Sequence, residues 1–187
     1  MRVLGIDPGL QETGYACVDC TRGTMTLLHN GIIRTRNGAN LPARLHTIYQ
    51  QLQHFLAEAR PTVVAIEDLY AAPRYPRTAI IMGHVRGVVC LAAAEAGIAV
   101  IPLPPTSVKQ AVTGFGGASK RQIQLAVGRL LGVPESLNGH IADAVAMALT
   151  VLSREGQLTP RRAPGSLGIP TSRPGQSAQV GVSGLRR

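Results

Sequence analysis

Apolar residues follow two different patterns along this chain, and these patterns predict both helices and strands. Leu41–Arg60 places an apolar residue every three or four positions, the period of an amphipathic helix, and Pro61 ends it. Arg2–Asp7 and Thr62–Glu67 are instead short, nearly continuous apolar runs, as in the buried strands of a parallel sheet. A turn at Pro8-Gly9 follows the first of these runs.

The rest of the first 155 residues continues this mixture of strands and helices. Further strands are predicted for Gly14–Cys20, Met25–Thr35 and Ile98–Ile101. Helices are predicted for Thr78–Ala96, Thr106–Thr113, Ser119–Leu131 and Asn138–Arg154, with a loop at Ala71–Arg77. Three strands followed by alternating helices and strands favour an α/β fold, a mixed sheet with helices on both faces.

The C-terminal segment has no apolar period. Residues 156–187 contain six Gly, four Pro, four Ser and five Arg, and no acidic residue. Such a composition buries too little apolar surface to offset the entropy lost on ordering. We therefore expect one folded domain over residues 1–155 and a disordered basic tail over residues 156–187.

The charge balance favours a polyanionic partner. Lys and Arg number 19 against 10 Asp and Glu, which gives a net charge of +9. Three cysteines are too few for a disulfide framework, and the first residues lack the apolar stretch of a signal peptide. No apolar run approaches the roughly 18–20 residues that span a bilayer. We expect a cytoplasmic protein.

Scarce acidic residues stand at places where local propensity does not favour them. Asp7 and Glu67 each end a predicted strand, and Asp143 lies in an apolar helical stretch three residues after His140. The carboxyl ends of parallel strands meet at one edge of a sheet, where ligands usually bind. Clustered carboxylates repel unless a cation neutralises them, and their oxygens favour Mg²⁺ or Mn²⁺. In a basic chain, this set favours two-metal phosphodiester hydrolysis.

Each member of the set also has an ordinary structural interpretation. Asp7 precedes Pro8-Gly9, as an ordinary turn residue would. In the structural interpretation of Glu67, it begins a loop together with Asp68 as a pair of solvated carboxylates. Asp143 complements a helix dipole if it lies in the first turns, and a single residue such as His140 is more often structural than a ligand. Their placement as a set favours the site.

Motifs through the first 152 residues resemble those of the RuvC family of bacterial Holliday junction resolvases. They occur in the family's order and with suitable spacing. The matching segments are Gly5–Gly9, Thr13–Tyr15, Ala65–Glu67 with Tyr70, Val108–Val112, Gly116–Lys120 and Ala142–Ala146.

The resemblance implies a ribonuclease H-like fold, a homodimer, and metal-dependent nicking of four-way DNA junctions in recombination and repair. It implies that Asp7, Glu67 and Asp143 are catalytic acids that bind two divalent ions, Mg²⁺ or Mn²⁺, in each active site. It further implies partnership with a branch-migration complex of RuvA and RuvB-type proteins in a bacterial cytoplasm.

Other site residues follow from the same resemblance. Many members carry a fourth aspartate where this chain has His140, whose imidazole can bind the metal or take a proton from the attacking water. Lys109 and Lys120 match residues that contact DNA phosphates near the cut. Tyr70 matches an aromatic residue beside the cleavage point, where it would stack on an unpaired base.

Two other functions remain to be separated from this one. Actin-like ATP-dependent phosphotransferases also open with a strand followed by Asp-x-Gly, but they need two duplicated domains, and 155 residues are too few. A non-catalytic junction-binding protein would not need Asp7, Glu67 and Asp143 at the ends of elements.

Overall fold

In the computed structural model, residues 1–68, 76–133 and 137–156 are described, and Tyr70 and the expected tail from residue 157 onward lie outside them. The described elements comprise five strands and five helices. The strands are β1 (Arg2–Asp7), β2 (Glu12–Thr21), β3 (Thr24–Arg34), β4 (Val63–Glu67) and β5 (Ala99–Leu103). The helices are α1 (Leu41–Ala59), α2 (Pro76–Glu95), α3 (Pro105–Thr113), α4 (Lys120–Leu131) and α5 (Gly139–Arg154).

The strands form one mixed sheet in the order β3-β2-β1-β4-β5. β1, β2 and β3 pair antiparallel, whereas β1 pairs parallel with β4, and β4 with β5. In the register of the central pair, Ile6 lies opposite Ile66. Asp7 and Glu67 therefore end neighbouring parallel strands at the same edge of the sheet, as the sequence predicts.

Apolar side chains cover both faces of the sheet. One core lies under α3, α4 and α5 and includes Val3, Val145 and Leu149. The other lies under α1 and α2 and includes Ile66 and Val89. The predicted α/β arrangement, a mixed sheet with helices on both faces, is confirmed.

Two glycines let α5 lie directly on the sheet. A Cβ atom on Gly5 would lie 1.9 Å from the carbonyl oxygen of Ala144, and one on Gly14 would lie 2.3 Å from that of His140. Any larger residue would force the helix away from β1 and β2. The start of α5, with His140 and Asp143, is thereby held close to the end of β1.

Most predicted boundaries differ from the observed ones by one or two residues. α2 begins at Pro76, inside the segment predicted as a loop, because proline suits the first position of a helix. β5 begins one residue late but continues through Pro102 to Leu103. Proline is tolerated there because β5 is an edge strand.

α2 is an exception to the expectation that no segment could span a bilayer. By length and composition alone, Arg77–Glu95 is long and apolar enough to cross a membrane. One side of this helix nevertheless packs in the core, where Val85, Val89 and Ala93 are buried. Arg86, also on α2, contacts the end of β4.

Candidate active site

A cleft of about 1080 Å³ opens at the edge of the sheet where β1 and β4 end. All three predicted carboxylates line it, together with His140 and both predicted lysines. These residues come from five different elements of the chain. The charged and polar residues that line it include Asp7, Glu12, Arg34, Thr35, Arg44, Glu67, Lys109, Lys120, His140 and Asp143.

The three carboxylates are partly withdrawn from water and repel one another. Burial raises the pKa of Glu67 above its usual range, and the negative charges of Asp7 and Asp143 raise it further. Burial also raises the pKa of Asp143, with a further contribution from Asp7. The charged form of this cluster is therefore costly without a neutralising cation.

His140 lies between two carboxylates. Its Nδ1 is 2.7 Å from Oδ2 of Asp7, and its Nε2 is 3.6 Å from Oε2 of Glu12. Asn138 caps α5 and accepts a hydrogen bond from the His140 backbone N–H, which fixes the start of the helix. The structure thus brings His140 to Asp7, as the sequence predicts, and adds Glu12 as a second neighbour.

The two lysines act on the carboxylates across the cleft. The positive charges of Lys109 and Lys120 partly offset the rise in the pKa of both Glu67 and Asp143. Lys109 lies on α3, and Lys120 is the first residue of α4, directly after the N-cap Ser119, which forms a capping box with Gln122. Both lysines therefore place positive charge at the wall of the cleft.

The turn after β1 is fixed by Thr13. This fully buried threonine donates a hydrogen bond from Oγ1 to the Gly9 carbonyl, at 2.6 Å, and lies 3.4 Å from the Gly9 N–H. A Cβ atom on Gly9 would lie 2.2 Å from the Glu12 carbonyl oxygen. The Gly-x-x-x-Thr spacing of the sequence therefore closes the turn that holds one wall of the cleft.

Sequence reasoning missed four residues that build the site. Glu12, Arg34 and Arg44 line the cleft, and the Nε of Arg34 donates to Glu12 at 3.0 Å. Arg86 donates to the Glu67 carbonyl and lies 3.3 Å from Asp68, so it ties α2 to the end of β4. An arginine inside the apolar α2 was the one available signal.

Comparison with known proteins shows the family to which the chain belongs. The family model for crossover junction endodeoxyribonuclease RuvC matches residues 3–151. The chain belongs to the RuvC family. The RuvC of Rhodopirellula baltica is 45% identical over 150 residues, covering 79% of this chain and 83% of that protein. The RuvC of Trichlorobacter lovleyi is 42% identical over 149 residues, covering 80% and 83%.

Solved structures confirm the predicted ribonuclease H-like fold. The RuvC structure of Thermus thermophilus has a TM-score of 0.76 and 34% identity, covering 84% of this chain and 98% of that one. The same protein in complex with a Holliday junction substrate has a TM-score of 0.74, covering 84% and 97%. The yeast mitochondrial Holliday junction resolvase Ydc2, at 14% identity and a TM-score of 0.61, shares the fold.

Membership of the RuvC family implies dependence on divalent metal, and the donor set fits such an ion. Hard carboxylate oxygens on Asp7, Glu67 and Asp143 face one cleft. As placed within residues 1–68, 76–133 and 137–156, no three His, Cys, Asp or Glu side chains stand close enough to hold one ion. Joint binding of one ion therefore requires a different placement of these side chains, including the Asp7 carboxylate that now contacts His140.

Proposed function

We propose that this protein is a structure-selective endonuclease that resolves four-way DNA junctions by two symmetric nicks. The observation that supports this proposal most strongly is one cleft that contains three mutually repelling carboxylates with two lysines beside them. Carboxylates of this kind bind cations, and lysines bind phosphates. The net charge of +9 supports a nucleic-acid substrate.

The site would hold two divalent ions, Mg²⁺ or Mn²⁺, through Asp7, Glu67, Asp143 and His140. When bound, such ions activate a water molecule and stabilise the leaving 3′ oxygen. Glu67 and Asp143 provide oxygens whose repulsion a cation would relieve. Lys109 and Lys120 would orient the strand through its phosphates, and Tyr70 would stack on an unpaired base near the cut.

His140 has two possible roles in this site. Either one imidazole nitrogen binds the metal, or the ring accepts a proton from the attacking water. The 2.7 Å contact with Asp7 leaves Nε2 for the second role, on the side of Glu12. Glu12, itself held by Arg34, lies 3.6 Å from that nitrogen.

A homodimer would form through the exposed face of α2. Ile80 and Leu91 are 62% and 53% exposed, and they share one stripe of the helix with His84 and Gly87. A Cβ atom on Gly87 would meet nothing within 4 Å, so another backbone can approach there. Twofold symmetry would present two equivalent clefts to a junction of near-twofold symmetry.

The wider setting of the protein follows from the same activity. We place it in recombination and repair in the bacterial cytoplasm, working with a branch-migration complex of RuvA and RuvB-type proteins. Residues 1–155 would form the nuclease domain. The arginine-rich segment 156–187 would add contacts to DNA that do not depend on its sequence.

Incubation with DNA tests the proposed function. An end-labelled four-way junction and a linear duplex of the same sequence are each mixed with the full chain, in Mg²⁺, in Mn²⁺ and in EDTA. We expect paired nicks in opposed strands of the junction, with metal only. Metal-dependent binding without nicks, or equal cutting of the duplex, would contradict the proposal.

A further inference from the structure

The cleft has a second basic wall, on the opposite face of the sheet from Lys109 and Lys120. Those lysines lie on α3 and α4, whereas the second wall comes from the end of β3 and the start of α1. It carries two arginines, Arg34 and Arg44. Neither was singled out by the motifs of the sequence.

The side chain of Arg44 is held in place by a neutral group. Its Nε donates a hydrogen bond to Oγ1 of Thr35, at 2.8 Å. The Thr35 hydroxyl in turn donates to the Leu10 carbonyl at 2.7 Å, and Thr35 is only 8% exposed. The anchor is therefore rigid, and it leaves the terminal nitrogens of the guanidinium to meet a ligand in the cleft.

The charge of Arg44 is not compensated in the way that its neighbours' charges are. Arg34 is paired with Glu12, and Arg86 with Asp68. Within the described part of the chain, Arg44 forms no ion pair with a carboxylate, and the first turn of α1 contains no acidic residue. The N-terminus of a helix carries a partial positive charge, so a cation beside it is unfavourable. An anion bound there would be attracted both by the Arg44 charge and by the dipole of α1.

We propose that Arg44 binds a backbone phosphate of the DNA strand in the cleft, from the side opposite Lys109 and Lys120. A planar guanidinium whose Nε is already anchored presents a fixed pair of donors to two phosphate oxygens. The strand would thus be clasped from both faces of the sheet, which positions it over Asp7 and Glu67. This inference rests on the proposed function of the cleft.

Binding of a four-way junction in EDTA, over a series of salt concentrations, tests this inference. We expect Arg44→Gln to weaken binding about tenfold and to reduce the log–log salt slope by about one. Arg44→Lys should keep most of the slope but recover only part of the affinity, because a point charge cannot replace the fork.

Arg129→Gln provides the matched control, since it removes an exposed arginine in the last turn of α4, away from the cleft. If Arg44→Gln changes affinity and slope no more than Arg129→Gln does, the inference is wrong. Should Arg44→Gln fail to fold, Arg44→Lys with wild-type affinity would overturn it equally. Wild-type protein that does not prefer the junction to a duplex would instead contradict the proposed function.

Discussion

At the scale of single residues, two carboxyl groups of the cleft lie where their charged forms are unfavourable. Glu67 and Asp143 are acids placed where burial and like charge both disfavour their ionised forms. Because the pKa of Glu67 is raised on folding, the folded protein binds its proton more tightly than the unfolded chain does. The stability from this proton is full below the unfolded pKa of 4.5 and is lost as pH rises through the folded value.

Removing the Glu67 charge should therefore stabilise the protein in the absence of metal. We expect Glu67→Gln to raise the melting temperature in EDTA at pH 7 by a few degrees, and this advantage to shrink towards pH 4. Mg²⁺ should stabilise the wild type more than the variant. Melting curves across pH test this, with exposed Glu58→Gln as control; equal pH dependence of Glu67→Gln and wild type would contradict it.

His140 tests whether the site needs a fourth member. We expect His140→Ala to lose about a hundredfold in single-turnover cleavage while still binding junctions, because it removes the group between Asp7 and Glu12. His140→Asp should retain more activity, since a carboxylate is a ligand for the same ions. His54→Ala, on the surface of α1, is the control. Wild-type cleavage by His140→Ala would reduce the site to three members.

At the scale of elements, the site depends on how closely α5 packs on β1 and β2. The sequence predicted both strands that end in Asp7 and Glu67, since apolar runs mark them clearly. It could not predict Glu12 or Arg44, because Glu12 contacts Arg34 of β3 and His140 of α5, and Arg44 contacts Thr35 after β3. No local period records such contacts. The glycines at 5 and 14 were visible as motif residues, but their purpose, room for a helix backbone, required the fold.

A methyl group at Gly5 should displace α5 from the sheet and so disturb the site. We expect Gly5→Ala to cost about 1–3 kcal/mol of folding free energy, because its Cβ would lie 1.9 Å from the Ala144 oxygen. A helix shift of about 1 Å would lower cleavage about a hundredfold. Denaturant unfolding and cleavage assays measure both effects.

Gly139→Ala is the control for that change. Gly139 is the first residue of α5, where an added Cβ would make only an ordinary 3.9 Å contact with Gln124. If Gly5→Ala unfolds and cleaves like Gly139→Ala, the close approach of α5 does not set the site.

At the scale of the whole molecule, one face of α2 remains to be covered. A helix with apolar residues on its outer as well as its inner side needs a partner on each. The structure shows which stripe of α2 faces outward, with Ile80 and Leu91 exposed. The junction itself, with its near-twofold symmetry, favours a second copy of the chain as that partner.

Acidic substitutions on the exposed stripe of α2 should dissociate the proposed homodimer. We expect Ile80→Glu with Leu91→Glu to reduce the solution mass from twice 19.7 kDa to 19.7 kDa. Paired nicking should fall, because one monomer offers one cleft. Light scattering after gel filtration measures the mass, and Leu130→Glu, on exposed α4 surface, is the control. A wild type of monomer mass, or a double variant with the same mass as the wild type, would contradict the proposed α2 interface.

The most direct test of the account as a whole is cleavage of a labelled four-way junction by Asp7→Asn in Mg²⁺ and in Mn²⁺. The change preserves the shape of the side chain and removes one charge from the proposed metal site. We expect junction binding to survive, and to strengthen as repulsion of the phosphates falls, while cleavage drops by about a thousandfold or more. Retention of wild-type cleavage by Asp7→Asn, in either metal, would contradict the assignment of this cleft as the active site.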